Sequence, residues 1–385
     1  MYFFLIFGII NFLTAFKKND EFFEHYQFLK TKDGIIRGKR AITKNMYYKW
    51  DFPIKYMVSA PVNVTAIDVA IKQLMDQTCL TFVRVPYLTE SGLNYKRGSG
   101  CVSFVGRISD SRPQDISLSE NCENPTSIQH ETMHALGVRH EMSRPDRDEY
   151  IEVLSQNIFP FVMNNFKSDP VDKAETYGFK YDFGSIMHYS KTAGSMNDGL
   201  AVKAKIDHYI NTPGQQVEIG FNDVKLLNYY YCNYTCKGVS TNCYYGGYPD
   251  PHNCNKCKCP RFFEGNDCSK VIPSDNSCGN TFFYVKKGQK EKIVLNGIKT
   301  CTIELLASGG KKIKMTLKNS NLSGYFDCEP DSGLEIKYLQ DKTVSGPIFC
   351  GPGSNGTIIS EDNFVVLRYI GLKDYNNMIL EYELI

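Results

Sequence analysis

Residues 130–140 read His130-Glu131-Thr132-Met133-His134-Ala135-Leu136-Gly137-Val138-Arg139-His140, and the spacing in this stretch decides how the rest of the chain is read. Two histidines four residues apart on an α-helix stack one turn apart on one face, so both imidazoles reach a single tetrahedral ion. Glu131 then points at water bound to that ion. Gly137 stops the helix in a left-handed conformation that a β-carbon disfavours, and the sharp turn brings His140 back as a third ligand. Three nitrogen ligands and one open position describe a catalytic zinc site. Zinc acidifies water and polarises a carbonyl, while Glu131 takes a proton and passes it to a leaving amine, which is peptide hydrolysis without a covalent intermediate. Five fixed positions at ~1 in 20 each occur by chance about 10⁻⁴ times in a chain of this length, so an accidental buried helix is a poor account of them.

The surrounding sequence sets the context. With 385 residues, 42% hydrophobic and 22% charged, the chain has ordinary globular composition and room for two or three domains. A net charge of +2 without a long basic run gives no reason to expect nucleic acid or an anionic membrane surface as partner. Residues 1–16 are almost unbroken apolar, end at Thr14-Ala15-Phe16 and give way to Lys17, Lys18, Asn19 and Asp20, the pattern of a signal peptide; a membrane span needs about 20 apolar residues. No later stretch is long enough to span. Fourteen cysteines in an exported chain favour seven disulfides. Four Asn-x-Ser/Thr triplets, at Asn63, Asn233, Asn321 and Asn355, agree with secretion and are candidate glycosylation sites. The expected location is extracellular.

Cysteine spacing divides the chain. Residues 17–40 end in the basic stretch Arg37-Gly38-Lys39-Arg40 and read as a propeptide cleaved before Ala41. Residues 41–235 hold few cysteines (Cys79, Cys101, Cys122 and Cys232) and are long enough to supply their own core. Residues 236–269 are cysteine-dense and too short for a core, hence a stapled module. Residues 278–385 alternate short β-branched and aromatic runs with turn residues, as in Lys292-Ile293-Val294-Leu295, Thr302-Ile303-Glu304-Leu305 and Phe364–Tyr369, which predicts an antiparallel sandwich.

The helix motif together with Ser185-Ile186-Met187-His188-Tyr189 resembles the metzincin peptidases. Glu141-Met142-Ser143-Arg144-Pro145-Asp146-Arg147-Asp148 and Ser99-Gly100-Cys101-Val102-Ser103-Phe104-Val105-Gly106-Arg107 narrow the resemblance to the astacin family, over residues 41 to about 232. It implies an α+β metzincin catalytic domain: a mixed sheet plus a long active-site helix, in two subdomains around a cleft. It also implies that Met187 floors the zinc and that Tyr189 is a displaceable further ligand that stabilises the tetrahedral intermediate. His188, with three ligands already assigned, reads as a satisfied buried or surface histidine. In astacins the processed N-terminus pairs with the glutamate after the third histidine, which maps onto Ala41 and Glu141, with Trp50 nine residues further on. The Phe-x-Gly-Asp stretch of astacin propeptides is missing from 17–40, which leaves Asp20 and Asp33 as alternatives to cap the zinc or as plain solvated acids.

By the same resemblance Cys79 pairs with Cys232 and Cys101 with Cys122. The dense module resembles an epidermal-growth-factor-like (EGF-like) domain, which would pair Cys236 with Cys254, Cys243 with Cys257 and Cys259 with Cys268. It lacks the acidic opening of calcium-binding members. The last region resembles a CUB domain, which would pair Cys278 with Cys301 and Cys328 with Cys350; Asp331 is a poor calcium-ligand candidate beside its reading as a turn residue.

The intact ligand set favours a secreted zinc endopeptidase acting on extracellular proteins, made as a zymogen, with peptide bound in extended form beside the strand at 99–107. An adhesion or matrix-binding protein with a relic first domain would lack Glu131 or a histidine; a small-molecule zinc hydrolase would not need the extended motif. The tail modules are expected to meet a matrix or protein partner. Lys191, Lys203 and Lys205, in or near the loop lining the cleft, either favour acidic side chains or lie solvated on the surface.

Overall fold

The structure is a computed structural model that describes residues 41–324 and 328–385. The leader expected at 1–16 and the propeptide expected at 17–40, with Asp20, Asp33 and the basic site at Arg40, lie outside the described residues.

The first lobe packs two helices on a mixed sheet. Its strands are β1 (Ile54–Val58), β2 (Phe82–Arg84), β3 (Leu93–Arg97), β4 (Val102–Ser103) and β5 (Gln114–Leu118), in the spatial order β2-β1-β3-β5-β4. All neighbours are parallel except β4, which runs antiparallel to β5 along the sheet edge. Of the strand expected over 99–107, only Val102 and Ser103 form a strand in the sheet and Arg107 makes an isolated bridge to Tyr48, because Gly98, Ser99 and Gly100 on one side and Gly106 (φ +81°) on the other interrupt the run. Helix α1 (Val64–Gln77) starts at Asn63, whose side chain accepts the Ala66 N–H, and buries Ile67, Ala70, Ile71 and Leu74 at three- and four-residue spacing. Helix α2 (Pro125–Ala135) carries the motif and is short, at 11 residues. Ile67, Leu74, Ile128 and Met133 share one apolar core with Leu93, Tyr95 and Ile116 of the sheet. Helix α3 (Phe221–Tyr231) closes this lobe, and the Cys79–Cys232 disulfide ties its end to the end of α1.

The second lobe, from Glu141 to Gly220, is built mainly of short 3₁₀ turns and one two-stranded ribbon, Ile151–Val153 with Val202–Ala204. It buries Met142, Phe166, Tyr181, Phe183 and Tyr209, and this core runs on without a break into the C-terminal sandwich. Between them the stapled module forms two small hairpins, Tyr248–Asp250 with Asn253–Lys258 and Phe263–Glu264 with Lys270–Val271.

The sandwich strands are β6 (Phe282–Val285), β7 (Lys290–Asn296), β8 (Lys299–Ala307), β9 (Ile313–Leu322), β10 (Gly333–Lys337), β11 (Ile348–Phe349), β12 (Gly351–Ile359), β13 (Phe364–Gly371) and β14 (Asn377–Leu384). They form the sheets β6-β8-β13-β10-β11 and β7-β14-β9-β12. The expectation of antiparallel pairing holds except at β6, which runs parallel to β8 because the chain leaves β6 for the opposite sheet before returning. The other disulfides join Cys101–Cys122, Cys236–Cys254, Cys243–Cys257, Cys259–Cys268, Cys278–Cys301 and Cys328–Cys350. Among the described residues no helix is long and apolar enough to cross a membrane. Asn63, Asn233 and Asn355 are exposed and Asn321 is half-buried. Asp331 is exposed in a turn.

Candidate metal centre and active site

Helix α2 is delimited by its own sequence. Asn124 caps it by accepting the Ser127 N–H at 2.9 Å, and Pro125 takes the first turn, where no N–H partner is needed. At the other end Gly137 (φ +94°) makes a left-handed turn in which Gly137 N–H reaches His134 O at 2.8 Å and Val138 N–H reaches Met133 O at 2.9 Å. That pair of bonds is a Schellman motif. A β-carbon on Gly137 would also come within 2.7 Å of Met46 Sδ. The last carbonyls are taken by distant side chains: Trp50 Nε1–H donates to Ala135 O (2.8 Å) and Tyr231 O–H to Leu136 O (2.7 Å).

The turn delivers His140 to the helix. Ligand atoms of His130, His134 and His140 lie within 4.8 Å of one another, with Nε2–Nε2 separations of 3.3 Å (130 to 140) and 3.0 Å (134 to 140). His130 Nδ1 is 2.9 Å from Ile186 O and His134 Nδ1 is 2.8 Å from Val138 O. A carbonyl oxygen only accepts, so each Nδ1 carries the proton and each Nε2 presents a lone pair inward. Lone pairs converging at about 3 Å repel unless a cation stands among them, and imidazole nitrogens in this number suit zinc. The residues fit the metal.

Glu131 is buried beside the histidines, and desolvation pushes its carboxyl up to about 8 against the downward pull of a Ser103 backbone hydrogen bond. Met187 is fully buried in the first lobe's core, and its carbonyl accepts the Glu141 N–H at 3.1 Å. The Tyr189 ring lies 4.4 Å from that of His140 and 5.6 Å from Phe166, and its hydroxyl titrates far above the usual range because of burial and the charge of Glu131. His188 is buried; its Nδ1 donates to Tyr189 O (2.7 Å) and its Nε2 accepts the Tyr181 O–H (2.6 Å).

Ala41 and Glu141 line the same small cavity and are both buried. Lys191 Nζ donates to Asn211 Oδ1 (2.7 Å) and Lys205 Nζ to Asp148 O, while Lys203 stands exposed. Two groups went unread in the sequence. Asp223 accepts from Ser185 Oγ (2.6 Å), Ile186 N (3.0 Å) and Gly220 N (3.1 Å), and Asp182 N–H donates to Glu141 Oε1 (2.7 Å). Asp182 lies in a loop and leaves no periodic signature, whereas Asp223 is an acidic residue in the first turn of α3, a place that reads as a helix cap and gives no hint of its bonds to Ser185 and Ile186.

The family model of Astacin, a peptidase family, matches residues 42–232. The chain belongs to the astacin family. Astacin-family members are zinc-dependent, so zinc is the metal of the three-histidine site. The chain is 35% identical over 344 residues to zinc metalloproteinase nas-34 of Caenorhabditis elegans, an alignment covering 88% of this chain and 56% of that protein. It is 31% identical to zinc metalloproteinase nas-30 of the same organism, covering 88% of this chain and 46% of that one. Both alignments therefore extend beyond the astacin segment, while the chain spans about half the length of these curated relatives. Among solved structures it is similar to high choriolytic enzyme 1, a hatching enzyme zinc-protease from Oryzias latipes (30% identity, 46% of this chain, 88% of that chain, TM-score 0.43).

Proposed function

We propose that this astacin-family chain is a secreted endopeptidase that hydrolyses internal peptide bonds of extracellular proteins, with His130, His134 and His140 holding zinc and Glu131 as general base. The observation that carries the reading is the convergence of three Nε2 lone pairs, each of the two helical imidazoles locked by a backbone carbonyl, beside one buried carboxylate. Bound zinc supplies Lewis acidity toward the scissile carbonyl and toward water. Glu131 accepts a proton from the attacking water as the C–O bond forms, and returns it to the amide nitrogen as the C–N bond breaks. The edge strand β4 and the residues beside it pair with an extended peptide, so that the scissile bond is held beside α2. Tyr189, packed on His140, is the residue that steadies the developing oxyanion.

Residues 41–235 make up the catalytic domain, 236–269 an EGF-like module and 278–385 a CUB domain, the last two serving as contacts for a matrix or protein partner. Residues 1–16 direct secretion and 17–40 maintain a zymogen. Cleavage after Arg40 frees the Ala41 ammonium in the cavity that Glu141 already lines. An ammonium there is matched by a buried carboxylate, whereas a continuous chain offers none. Lys203 is the one remaining lysine candidate for drawing acidic side chains.

The test is gelatin cleavage by the processed chain, beside Glu131→Ala and beside wild type treated with a zinc chelator. Loss in both controls, with at least ~10³-fold lower turnover for Glu131→Ala, is expected. Undiminished cleavage by Glu131→Ala would sink the assignment. The activation step predicts that Arg40→Ala secretes as a longer, weakly active form, and full activity of a chain still carrying 17–40 would remove it.

A further inference from the structure

The C-terminal sandwich touches the catalytic lobe at the turn that precedes Met187. Between β10 and β11, residues 342–346 form a loop held from within by Lys337, whose buried Nζ donates to Val344 O (2.7 Å) and Lys342 O (3.1 Å). Ser345 at its tip is gripped from both sides by the other lobe. Its N–H donates to Asp182 Oδ1 (3.2 Å), and its carbonyl accepts the Tyr209 O–H (3.1 Å). Two further bonds join the sandwich to the same lobe, Ile348 N–H to the Thr212 hydroxyl oxygen and Cys328 N–H to Asn211 O, each 3.0 Å. The two surfaces meet so closely that a β-carbon on Gly184 would sit 2.5 Å from Ser345 Oγ and 2.6 Å from its Cβ.

The groups on the catalytic side of this contact lead into the active site. Asp182 also accepts the Gly184 N–H at 3.1 Å, and its own N–H holds Glu141, the residue after the third histidine. Two residues beyond Gly184, the Ile186 carbonyl accepts from His130 Nδ1. One continuous path therefore runs from Ser345 through the 182–186 turn to a metal ligand.

We infer that the sandwich is a structural part of the active site, its Ser345 loop positioning the 182–186 turn and through it His130 and Glu141. Asp182 and Gly184 are positioning residues, and hydrolysis of a peptide too short to reach any tail module depends on this contact. The inference deepens the peptidase reading and rests on it. A tail that only recruits substrates would affect large proteins alone.

The test uses the full processed chain and three variants: Gly184→Ala, Ser345→Gly, and the two combined. The alanine methyl overfills the contact, and removing the serine side chain restores the space, so the second substitution repairs the first only if the two surfaces meet as described. Two quantities are read: kcat/KM on a short quenched peptide, and amide hydrogen exchange of residues 182–188. Gly184→Ala is expected to lose about tenfold in kcat/KM, mostly in kcat, and to exchange faster; the double variant returns to within about threefold of wild type. Wild-type kcat/KM in Gly184→Ala, or a double variant as slow as the single, overturns the inference. Should wild type cleave nothing, the peptidase reading fails on its own, and the exchange data still judge the contact: faster exchange in Gly184→Ala reversed in the double variant upholds it, and unchanged exchange removes it.

Discussion

Helix α2 and the turn at 182–189 present the two halves of one site, and they are held by opposite means. The helix is secured largely by its neighbours in sequence: Asn124 at the start, Pro125 in the first turn, Gly137 at the end. The turn is secured by residues far along the chain. Asp223 takes two of its donors, Gln215 donates to Gly184 O (3.0 Å), and Ser345 arrives from the C-terminal sandwich. A local device works wherever its few residues occur together. A distant one works only when the whole fold is right, which makes the turn the place where folding and activity are joined.

The largest effect expected from testing this contrast is at Glu131, a helix residue whose environment is supplied by the whole fold. Its carboxyl is raised from 4.5 to about 8 by burial, so the folded zinc-free chain holds a proton that the unfolded chain releases above about 4.5. Stability from this group is therefore fully present at pH 4.5 and below and falls as pH rises toward 8. Glu131→Gln keeps the shape without the charge. It is expected to abolish cleavage and, in the zinc-free chain, to gain stability over wild type progressively between pH 5 and 8, read as Tm against pH. Parallel Tm curves for the two proteins would show that the carboxylate is not desolvated.

A smaller effect is expected from Asp223→Ala, which leaves the Ser185, Ile186 and Gly220 donors without this acceptor. Buried donors left unsatisfied cost about 1–3 kcal/mol each before relaxation, so a loss of roughly 3 kcal/mol is expected in denaturant unfolding. Because Ile186 also receives His130 Nδ1–H, zinc affinity should fall by about tenfold, the range in which supporting partners of a metal ligand act. Unchanged zinc affinity with the stability loss would mean that the turn supports the fold and not the metal.

The same contrast explains what was legible in the sequence. The convergence of His130 and His134 was readable because helical periodicity converts spacing into direction, and that of His140 because Gly137 ends the helix in a left-handed turn. The sandwich was readable from alternating runs that became β7, β8 and β13. The stapled segment ahead of the sandwich was readable from cysteine density. Asp182, Asp223 and Ser345 were not readable, since no spacing rule relates residue 182 to 345; only tertiary packing brings them together. The parallel pairing of β6 was hidden for the same reason, being set by which sheet the chain enters next. Strand 99–107 was overextended because a run of polar and small residues was read by resemblance while its glycines were passed over.

The smallest effect should come from the most local device, and it tests the contrast from the other side. Asn124→Ala removes the side-chain acceptor of the Ser127 N–H at the start of α2, a loss worth about 1 kcal/mol in comparable caps. His134 and Gly137 sit at the far end, where the Schellman bonds, Trp50 and Tyr231 fix the backbone independently of that cap. Denaturant midpoints should therefore shift downward while kcat/KM stays within about twofold of wild type and zinc affinity is unchanged. A loss of zinc affinity in this variant would mean that fraying at Asn124 reaches His130, less than two turns away, and that the helix depends on its cap as closely as the turn depends on Asp223. The metal site would then be held by both halves in the same way, and the division between local and distant support would hold only for the end of the helix at Gly137.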